Sequence, residues 1–316
     1  MKRIAMLAIC LVMLAGMVWA GGGRQQRDGM QIALITMDSM DEHWLRLVDG
    51  AQTRAIAMRA AGTEVWVDWG APLIGKVDAA EQLRLIEDAI TRRVDAIMLA
   101  PLHADALVPG IESARRAGIP VILVDSGAST DAYSAFLFTD NAAAARLAAS
   151  ELARAIGGQG EVAIINAQAG AATTMTRENE FRAHIAANYP GITIVGVQYS
   201  DGHPHIALNQ ATDFMTAHPN LAGFYACNEG ATVGTGMAIE QAGRAGQIRF
   251  VGFDWSDTLR GLVDRGVLDA TMVQNPFRMG YDGVQAAVDI IQGRSTPRHV
   301  DTGVTVVNRA NAHTID

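Results

Sequence analysis

Polar side chains follow several short apolar runs of this chain at the point where each run ends. Asp125 and Asp254 each come directly after such a run. Gln274 closes another run, and Asn228 follows a fourth after a single intervening cysteine. The runs are typical of buried parallel strands, whose carboxyl ends meet at the edge where open α/β sheets bind ligands. Carboxylates and amides at such an edge can hydrogen-bond hydroxyl groups, so these residues indicate binding of a hydroxyl-rich small molecule rather than catalysis.

Further candidate residues lie together at the start of the first long predicted helix. Asp41 could accept hydroxyl groups, although Asp38 and Glu42 compete for the same loop. Trp44 could stack on an apolar face of a ligand, or it could pack in the core of the protein. His43 could contact the same ligand, or it could be a structural or exposed histidine.

The other candidates also have structural alternatives. Asp254 and Asn228 precede predicted helices, where Asp and Asn are favoured N-caps. Asp125 could be a plain turn residue, and Gln274 could form a hydrogen bond within a hinge. Arg177, near the start of a later helix, could reach a ligand or form an ion pair. Capping and ligand binding are compatible at one helix start, so all five remain candidates for ligand contact.

Strand-like and helix-like segments alternate along the chain, and the alternation restarts near its middle. The strands are short, apolar and β-branched, as parallel strands covered on both faces must be. The first half therefore predicts a doubly wound sheet, and the pattern begins again after Asp140 and Asn141. No Pro- or Ser-rich linker separates the halves. The sequence predicts an α/β fold with two doubly wound, Rossmann-like lobes joined by several short crossings.

The first residues are typical of an export signal. Lys2 and Arg3 give a basic start, the following stretch is almost wholly apolar, and Ala20 supplies a small residue for cleavage. We therefore expect residues 1–20 to be removed and the protein to be exported to the periplasm. Only Cys227 would then remain, so no disulfide within the chain is expected.

Composition and charge narrow the class of partner. The 316 residues are 49% hydrophobic, enough for one large domain or two ordinary ones. The formal net charge of −8 argues against nucleic acid, whose phosphates need basic patches, and against anionic lipid surfaces. The chain has neither a Gly-x-Ser-x-Gly elbow nor a complete phosphate-binding Gly-x-x-x-x-Gly-Lys-Ser/Thr loop, because Val77 follows the one Gly-x-x-x-x-Gly-Lys match at its glycines Gly70 and Gly75. We expect a binding protein with no catalytic residues, no cofactor and no metal, although composition alone leaves glycoside hydrolysis by paired acids open.

Short segments spread over the whole chain carry a family resemblance. They are Ile32-Ala33-Leu34, Leu47-Val48-Asp49-Gly50-Ala51-Gln52, Ala117-Gly118-Ile119-Pro120-Val121-Ile122, Thr139-Asp140-Asn141, Thr216-Ala217-His218-Pro219-Asn220, Val251-Gly252-Phe253-Asp254 and Ala270-Thr271-Met272-Val273-Gln274. Each segment alone is weak, but their order and spacing together are specific. On this basis the chain resembles the periplasmic ribose-binding protein family, the sugar-binding components of bacterial ABC importers, over about residues 31–307.

The resemblance implies a ligand held between two lobes, beneath a hinge of three strands. It implies a first lobe of residues 30–139 and 275–300, and a second lobe of residues 140–274 and 301–316. It also implies that closure of the lobes captures the ligand for delivery to ABC permease subunits in the inner membrane. The ligand-binding residues that it implies are Asp41, His43, Trp44, Asp125, Ser126, Arg177, Asn228, Asp254 and Gln274.

Three positions depart from the family's pattern. Ser126 stands where the family commonly has an arginine after the first-lobe carboxylate. Met175 stands where an arginine normally precedes the helix start, so that only Arg177 remains there, and Gly202 replaces a stacking aromatic. A pocket poorer in positive charge disfavours a sugar acid or a phosphate. It fits a neutral sugar or polyol, or a cationic or amino-substituted ligand.

The resemblance leaves two functions open. The expected function is capture of a monosaccharide or related polyol, by a monomer, for import. The alternative is a sensing protein for a sugar or autoinducer-like ligand, which docks on a chemoreceptor or a sensor kinase. Both functions use the same closed pair of lobes, so the sequence favours neither by its residues alone.

Overall fold

The computed structural model describes residues 28–72 and 78–315. The export signal predicted at residues 1–20 lies outside the described residues. None of the helices within the described ranges combines the length and the apolar character that a membrane crossing needs.

Strands and helices alternate along both halves of the described chain, as predicted. The strands are β1 (Met30–Ile35), β2 (Val65–Gly70), β3 (Ala96–Leu99), β4 (Val121–Val124), β5 (Ala135–Phe138), β6 (Gln159–Asn166), β7 (Gly191–Tyr199), β8 (Leu221–Ala226), β9 (Arg249–Phe253), β10 (Ala270–Gln274), β11 (His299–Asp301) and β12 (Val304–Asn308). The α-helices are α1 (Glu42–Ala60), α2 (Ala79–Thr91), α3 (Val108–Arg116), α4 (Asn141–Ala155), α5 (Ala172–Asn188), α6 (Pro204–Ala217), α7 (Glu229–Gln241), α8 (Asp257–Asp264) and α9 (Pro276–Ile291).

The strands form two sheets, one in each lobe. The first sheet has the order β11-β5-β4-β3-β1-β2, and the second has the order β12-β10-β9-β8-β6-β7. Neighbouring strands pair in parallel, apart from the antiparallel pair β10 and β12 at one edge. In each sheet the order reverses beside one strand, β1 or β6, which creates the switch point where open α/β sheets bind ligands. The predicted fold class of two doubly wound α/β lobes is confirmed.

Apolar side chains cover both faces of each sheet. In β3 of the first sheet, Ile97 and Leu99 belong to the core beneath α2 and α3, whereas Met98 belongs to the core beneath α1 and α9. In β6 of the second sheet, Ile164 and Ile165 divide in the same way between the two cores of that lobe. Successive strand side chains point to opposite faces, so a short continuous apolar run is buried on both.

The described chain crosses between the lobes at three places. β5 is followed by α4, β10 is followed by α9, and β11 is followed by β12, and each of these steps leads from one lobe to the other. The helices confirm this assignment, because α9 packs on α1 and α4 packs on α5. The hinge of three strands is therefore confirmed, whereas the residue boundaries predicted for the two lobes stay a prediction.

Helix α1 approaches α9 very closely. A Cβ atom on Gly50 would lie 2.0 Å from the carbonyl oxygen of Phe277, and one on Gly280 would lie 1.9 Å from the carbonyl oxygen of Leu47. Only glycine allows two backbones to come this near. Helix α1 begins in the loop that carries candidate cleft residues, and α9 directly follows the hinge strand β10. The close contact between the two helices therefore holds the cleft loop in a fixed position relative to the hinge.

Some elements differ from those that the sequence predicts. The helix expected from Ala104 begins at Val108, since Pro109 occupies its first turn and residues 104–107 form turns. Strands β5 and β11 are not among the predicted strands: β11 is only three residues long, and β5, unlike β3 and β4, has no β-branched residue and is only half-buried at alternate positions. They form because neighbouring strands supply hydrogen-bonding partners, which local sequence does not reveal.

Candidate functional site

A cavity of about 430 Å³ lies between the lobes at the carboxyl ends of the strands. The described wall of the cavity comes from segments that follow β1, β4, β6, β8 and β9, and from the end of β10. Its volume falls within the range of about 300–1,000 Å³ that small-molecule sites occupy. The wall contains the predicted residues Asp41, His43, Trp44, Asp125, Arg177, Asn228, Asp254 and Gln274.

The two strand-end aspartates of the cavity have left-handed backbone conformations. The φ angle is 62° at Asp125 and 72° at Asp254. Their peptide N–H groups still continue the sheets, donating to the carbonyl oxygens of Leu137 at 2.8 Å and Met272 at 3.0 Å. A non-glycine residue in this region costs on the order of 1–3 kcal/mol, and such residues cluster at functional sites. Aspartate tolerates the conformation better than most residues, and both side chains border the cavity.

The His43 side chain lies between these two carboxylates, which we call the ring-bridged pair. Nε2 of His43 is 3.1 Å from Oδ1 of Asp125, and Nδ1 is 3.5 Å from Oδ1 of Asp254. Burial by itself lowers the pKa of His43, but the hydrogen bonds and charges of Asp125 and Asp254 together outweigh it and raise the pKa well above its usual value. His43 is therefore an imidazolium at neutral pH, and it links Asp125 of the first lobe to Asp254 of the second.

Asp254 has further partners in the second lobe and at the hinge. Nε2 of Gln274 donates to Oδ1 of Asp254 at 2.7 Å, and the peptide N–H of Glu229 donates to Oδ2 at 3.0 Å. Burial by itself raises the pKa of Asp254, but His43, the charge of Arg177 and the Gln274 hydrogen bond more than offset it. They hold the pKa of Asp254 below its usual range. Asp254 is therefore ionised in the closed cleft.

Two further carboxyl groups, those of Asp41 and Glu229, meet across the cleft, and we call them the direct pair. Asp41 caps α1, because its Oδ1 accepts the peptide N–H of His43 at 2.9 Å; Oε2 of Glu229 accepts the same N–H at 3.3 Å. Burial is the largest cause that raises the pKa of Asp41 well above its usual value. The hydrogen bond to Glu229 and the negative charge of Glu229 raise it further. The raised pKa favours the protonated form of Asp41 beside Glu229.

The helix-capping alternatives are resolved differently for Asn228 and Asp254. Asn228 is the N-cap of α7, and its Oδ1 accepts the peptide N–H of Ala231 at 3.2 Å. Asp254 does not cap α8, because Ser256 holds that position. Nδ2 of Asn228 lies 3.7 Å from where a Cβ atom on Gly202 would be. The amide nitrogen of Asn228 therefore borders the space at Gly202, where the family commonly has a stacking aromatic side chain.

Arg177 is held by neutral groups of its own lobe. Its Nε donates to Oδ1 of Asn141 at 2.7 Å, and its Nη1 donates to the carbonyl oxygen of Cys227 at 2.8 Å. The guanidinium carbon also lies 4.0 Å from the centroid of the Phe253 ring. These contacts fix Arg177 in the cavity wall, with two of its nitrogens already occupied.

Trp44 and Ser126 are placed differently from each other. Trp44 is buried in the first-lobe core and also borders the cavity, with its ring edge-on to His43 at 4.7 Å between centroids. Ser126 is fully buried and is not part of the described cavity wall, and its hydroxyl has no hydrogen-bond partner among the described residues. The structure therefore does not bring Ser126 to the cavity with the other predicted residues.

The cavity wall is rich in acidic groups. Arg177 supplies the one arginine of the described wall, and its carboxyl groups come from Asp38, Asp41, Glu42, Asp125, Asp201, Glu229 and Asp254. An anionic ligand would meet this negative charge with little compensation. The acidic pocket expected from the losses at Ser126 and Met175 agrees with this arrangement.

Glu229 is a buried cavity residue that sequence reasoning does not single out. It follows the candidate Asn228 directly and is the acidic residue in the first turn of α7. An acidic residue at that place is ordinarily explained by the helix dipole, so it attracts no special notice. Its position immediately after a strand end, beside a candidate amide, is the signal that could have identified it.

Comparison with protein families matches residues 32–295 to the periplasmic binding protein domain. Among curated relatives, the D-ribose/D-allose-binding protein of Pseudomonas aeruginosa is 29% identical over 280 residues, which are 87% of this chain and 86% of that protein. Its name describes a binding protein, not an enzyme.

Solved structures give a consistent picture. An ABC transporter solute binding protein from Agrobacterium vitis, with bound D-fucose, superposes with a TM-score of 0.85 at 37% identity, over 89% of this chain and 96% of that chain. A carbohydrate transporter solute binding protein from Agrobacterium radiobacter, in complex with D-arabinose, has a TM-score of 0.84 at 31% identity, over 90% of this chain and 96% of that chain.

Proposed function

The chain belongs to the periplasmic binding protein family and is a sugar-binding component of an ABC transporter, and we propose that its cleft captures a neutral monosaccharide or related polyol. The observation that carries the proposal is the convergence of hydrogen-bonding side chains from both lobes on one cavity. The proposed ligand-binding residues are Asp41, His43, Trp44, Asp125, Arg177, Asn228, Asp254 and Gln274, without the buried Ser126.

The chemistry of the wall supports a neutral, hydroxyl-rich ligand. Sugar hydroxyls donate hydrogen bonds, and ionised carboxylates such as Asp254 are strong acceptors for them. The amide of Asn228 and the guanidinium of Arg177 supply donors for hydroxyl or ring oxygens. Relatives with bound D-fucose and D-arabinose, both uncharged sugars, favour the same ligand class over a cationic or amino-substituted one.

Capture follows from closure of the two lobes about the three-strand hinge. A ligand that contacts Asp125 on the first lobe and Asn228 on the second stabilises the closed form more than the open form, which shifts the population towards closure. Closure excludes water and strengthens each hydrogen bond to the ligand. We propose that the protein acts as an exported monomer and that ABC permease subunits recognise its closed form. The named relatives favour this transport role over docking on a sensor.

A thermal-shift panel of pentoses, hexoses, polyols and sugar acids tests the proposed ligand class. A ligand that binds only the folded state stabilises it and so raises the melting temperature of the protein. At a ligand concentration one hundred times the Kd, the stabilisation is about 2.7 kcal/mol. We expect stabilisation by at least one neutral sugar or polyol and none by the matching sugar acids. Stabilisation by acidic ligands alone would contradict the acidic-cavity argument.

Uptake of the stabilising sugar tests the transport role. A strain from which this chain is deleted should lose uptake, and expression of the wild-type chain should restore it. Normal uptake in the deletion strain, with a loss of response to the sugar instead, would favour the sensing role.

A further inference from the structure

We propose that His43 is a positioning residue of the sugar site, which holds the two carboxylates of the ring-bridged pair together across the closed lobes and makes sugar binding dependent on pH. The inference rests on the proposed sugar-binding function. It starts from geometry, because both ring nitrogens of His43 are engaged by buried carboxylates that belong to different lobes.

The contacts of His43 limit what the carboxylates can offer a ligand. A carboxylate has about four acceptor positions. In Asp254, Oδ1 already receives Gln274 and His43, and Oδ2 receives the peptide N–H of Glu229. In Asp125, Oδ1 receives His43, and the described hydrogen bonds leave its Oδ2 available. A sugar therefore finds more acceptor capacity on the first lobe's carboxylate than on the second lobe's.

His43 acts on the ligand through these carboxylates rather than by direct donation. With Nδ1 and Nε2 both occupied, the ring has no further N–H group for a hydroxyl. The remaining ring atoms, together with the adjacent Trp44 ring, give this part of the wall an aromatic character. Its effect on binding is to orient Asp125 and Asp254 and to compensate their charge.

Charge compensation makes the arrangement sensitive to pH. The charged and titratable groups around His43 are Asp41 before α1, Arg46 on α1, Asp125 after β4, Arg177 on α5, Glu229 on α7 and Asp254 after β9. Acidic groups dominate among them, which agrees with the raised pKa of His43. Loss of the ring proton would leave one carboxylate of the ring-bridged pair facing a ring lone pair, while both carboxylates remain buried.

The sign of the effect follows from the direction of the pKa shift. A histidine whose pKa is raised in the closed form stabilises that form fully below its ordinary value near 6.5, and the stabilisation is lost as pH rises through the raised value. Closure, and with it sugar affinity, should therefore weaken on the alkaline side.

The test uses the full exported chain and whichever of D-ribose, D-allose, D-fucose and D-arabinose binds best. Calorimetric titrations from about pH 6 to about pH 9 cover the range where a histidine of raised pKa changes charge. Wild-type affinity should fall about tenfold across this range, as expected for one lost charge-assisted contact. His43→Phe should show a flat profile, whereas His313→Phe, at an exposed position, should keep the wild-type profile.

Two additions keep the result specific to His43. Asp41 also titrates, so the calorimetric pH series is repeated in an Asp41→Asn background. A loss of sugar affinity at alkaline pH that remains in this background cannot come from Asp41. If His43→Phe does not fold, His43→Gln, which keeps a donor without the charge, should show the same flat profile.

A second readout follows the His43 ring directly. NMR of ring-labelled histidines is recorded with and without sugar. His43 should titrate above its ordinary value in the sugar-bound protein, and Asp125→Asn should move that titration downwards. If a sugar binds but His43→Phe keeps the wild-type pH profile, or if His43 titrates at or below its ordinary value, the inference is wrong and the proposed function stands. If no sugar binds while His43 still titrates high, the proposed sugar site is wrong and only the bridge between the lobes stands.

Discussion

The ring-bridged pair and the direct pair both place two carboxyl groups face to face across the cleft, but they accommodate the charge differently. Between Asp125 and Asp254 lies an imidazolium, and Asp254 stays ionised with its pKa below the usual range. Between Asp41 and Glu229 there is no cation, and the pKa of Asp41 is raised well above its usual value. The comparison shows that burial raises the pKa of both Asp41 and Asp254, and that a cationic partner reverses this effect at Asp254.

The comparison also assigns different tasks to the two pairs. The ring-bridged pair includes the ionised carboxylate of Asp254, and ionised acceptors are the stronger partners for sugar hydroxyls. The direct pair accepts the peptide N–H of His43, so it mainly orders the start of α1. Replacements in the first pair should therefore affect ligand affinity, and replacements in the second should affect the pH dependence of stability.

Asp254→Ala is expected to have the largest effect. It removes a buried carboxylate and leaves Gln274, the Glu229 peptide N–H and His43 without their acceptor. Truncating one member of such a charge pair costs about 2–5 kcal/mol, so affinity for the best-binding sugar should fall about 30-fold or more. Calorimetric titration measures the loss.

Asp131→Ala is the matched control for that replacement, because the Asp131 side chain is 92% exposed. It should leave sugar affinity unchanged, since exposed ion pairs contribute little. Unchanged affinity in both Asp254→Ala and Asp125→Ala would show that the proposed site is wrong.

Asp125→Asn should have an intermediate effect. The amide keeps the shape of the side chain but removes one of the two charges that raise the pKa of His43. Sugar affinity should fall about tenfold, the difference expected between a charge-assisted and a neutral hydrogen bond. If Asp125→Asn loses as much sugar affinity as Asp254→Ala does, the proposed difference between the two carboxylates in free acceptor positions is wrong.

Asp41→Asn should have the smallest effect on affinity, within about threefold, because an asparagine caps α1 as well as an aspartate does. Its effect should appear in stability instead. A carboxyl group whose pKa is raised on folding contributes stability that is fully present below the ordinary value of 3.8 and is lost as pH rises through the raised value. The melting temperature of Asp41→Asn relative to wild type should therefore increase with pH.

Glu229→Gln tests whether that effect belongs to the pair. The double variant Asp41→Asn with Glu229→Gln should show less than the sum of the two single effects, since either replacement already removes the interaction between the two carboxyl groups. Simple additivity across the pH series would mean that the two side chains act independently.

Several elements could be predicted from sequence to the residue. Strands β3 and β4 are continuous apolar runs, one followed by Ala100 and Pro101 and the other by Asp125, so their limits are visible in the chain. Strand β5 is not predicted, because it has no β-branched residue and its place in the sheet depends on pairing with β4 and β11. Among site residues, those that follow long runs were identifiable, whereas Glu229 resembles an ordinary first-turn acid of a helix.

The sequence by itself determined the alternation of strands and helices, the polar residues at the strand ends and the family to which the chain belongs. Periodicity and strand limits are local properties, and segment order is written in the chain. Only the tertiary structure decided that His43 lies between Asp125 and Asp254, the first of which is 82 positions away. It also decided that Glu229, 186 positions from His43, shares the peptide N–H of His43 with Asp41. The protonation of His43 and Asp41 depends on burial and on these partners, of which Asp254 and Glu229 come from the other lobe.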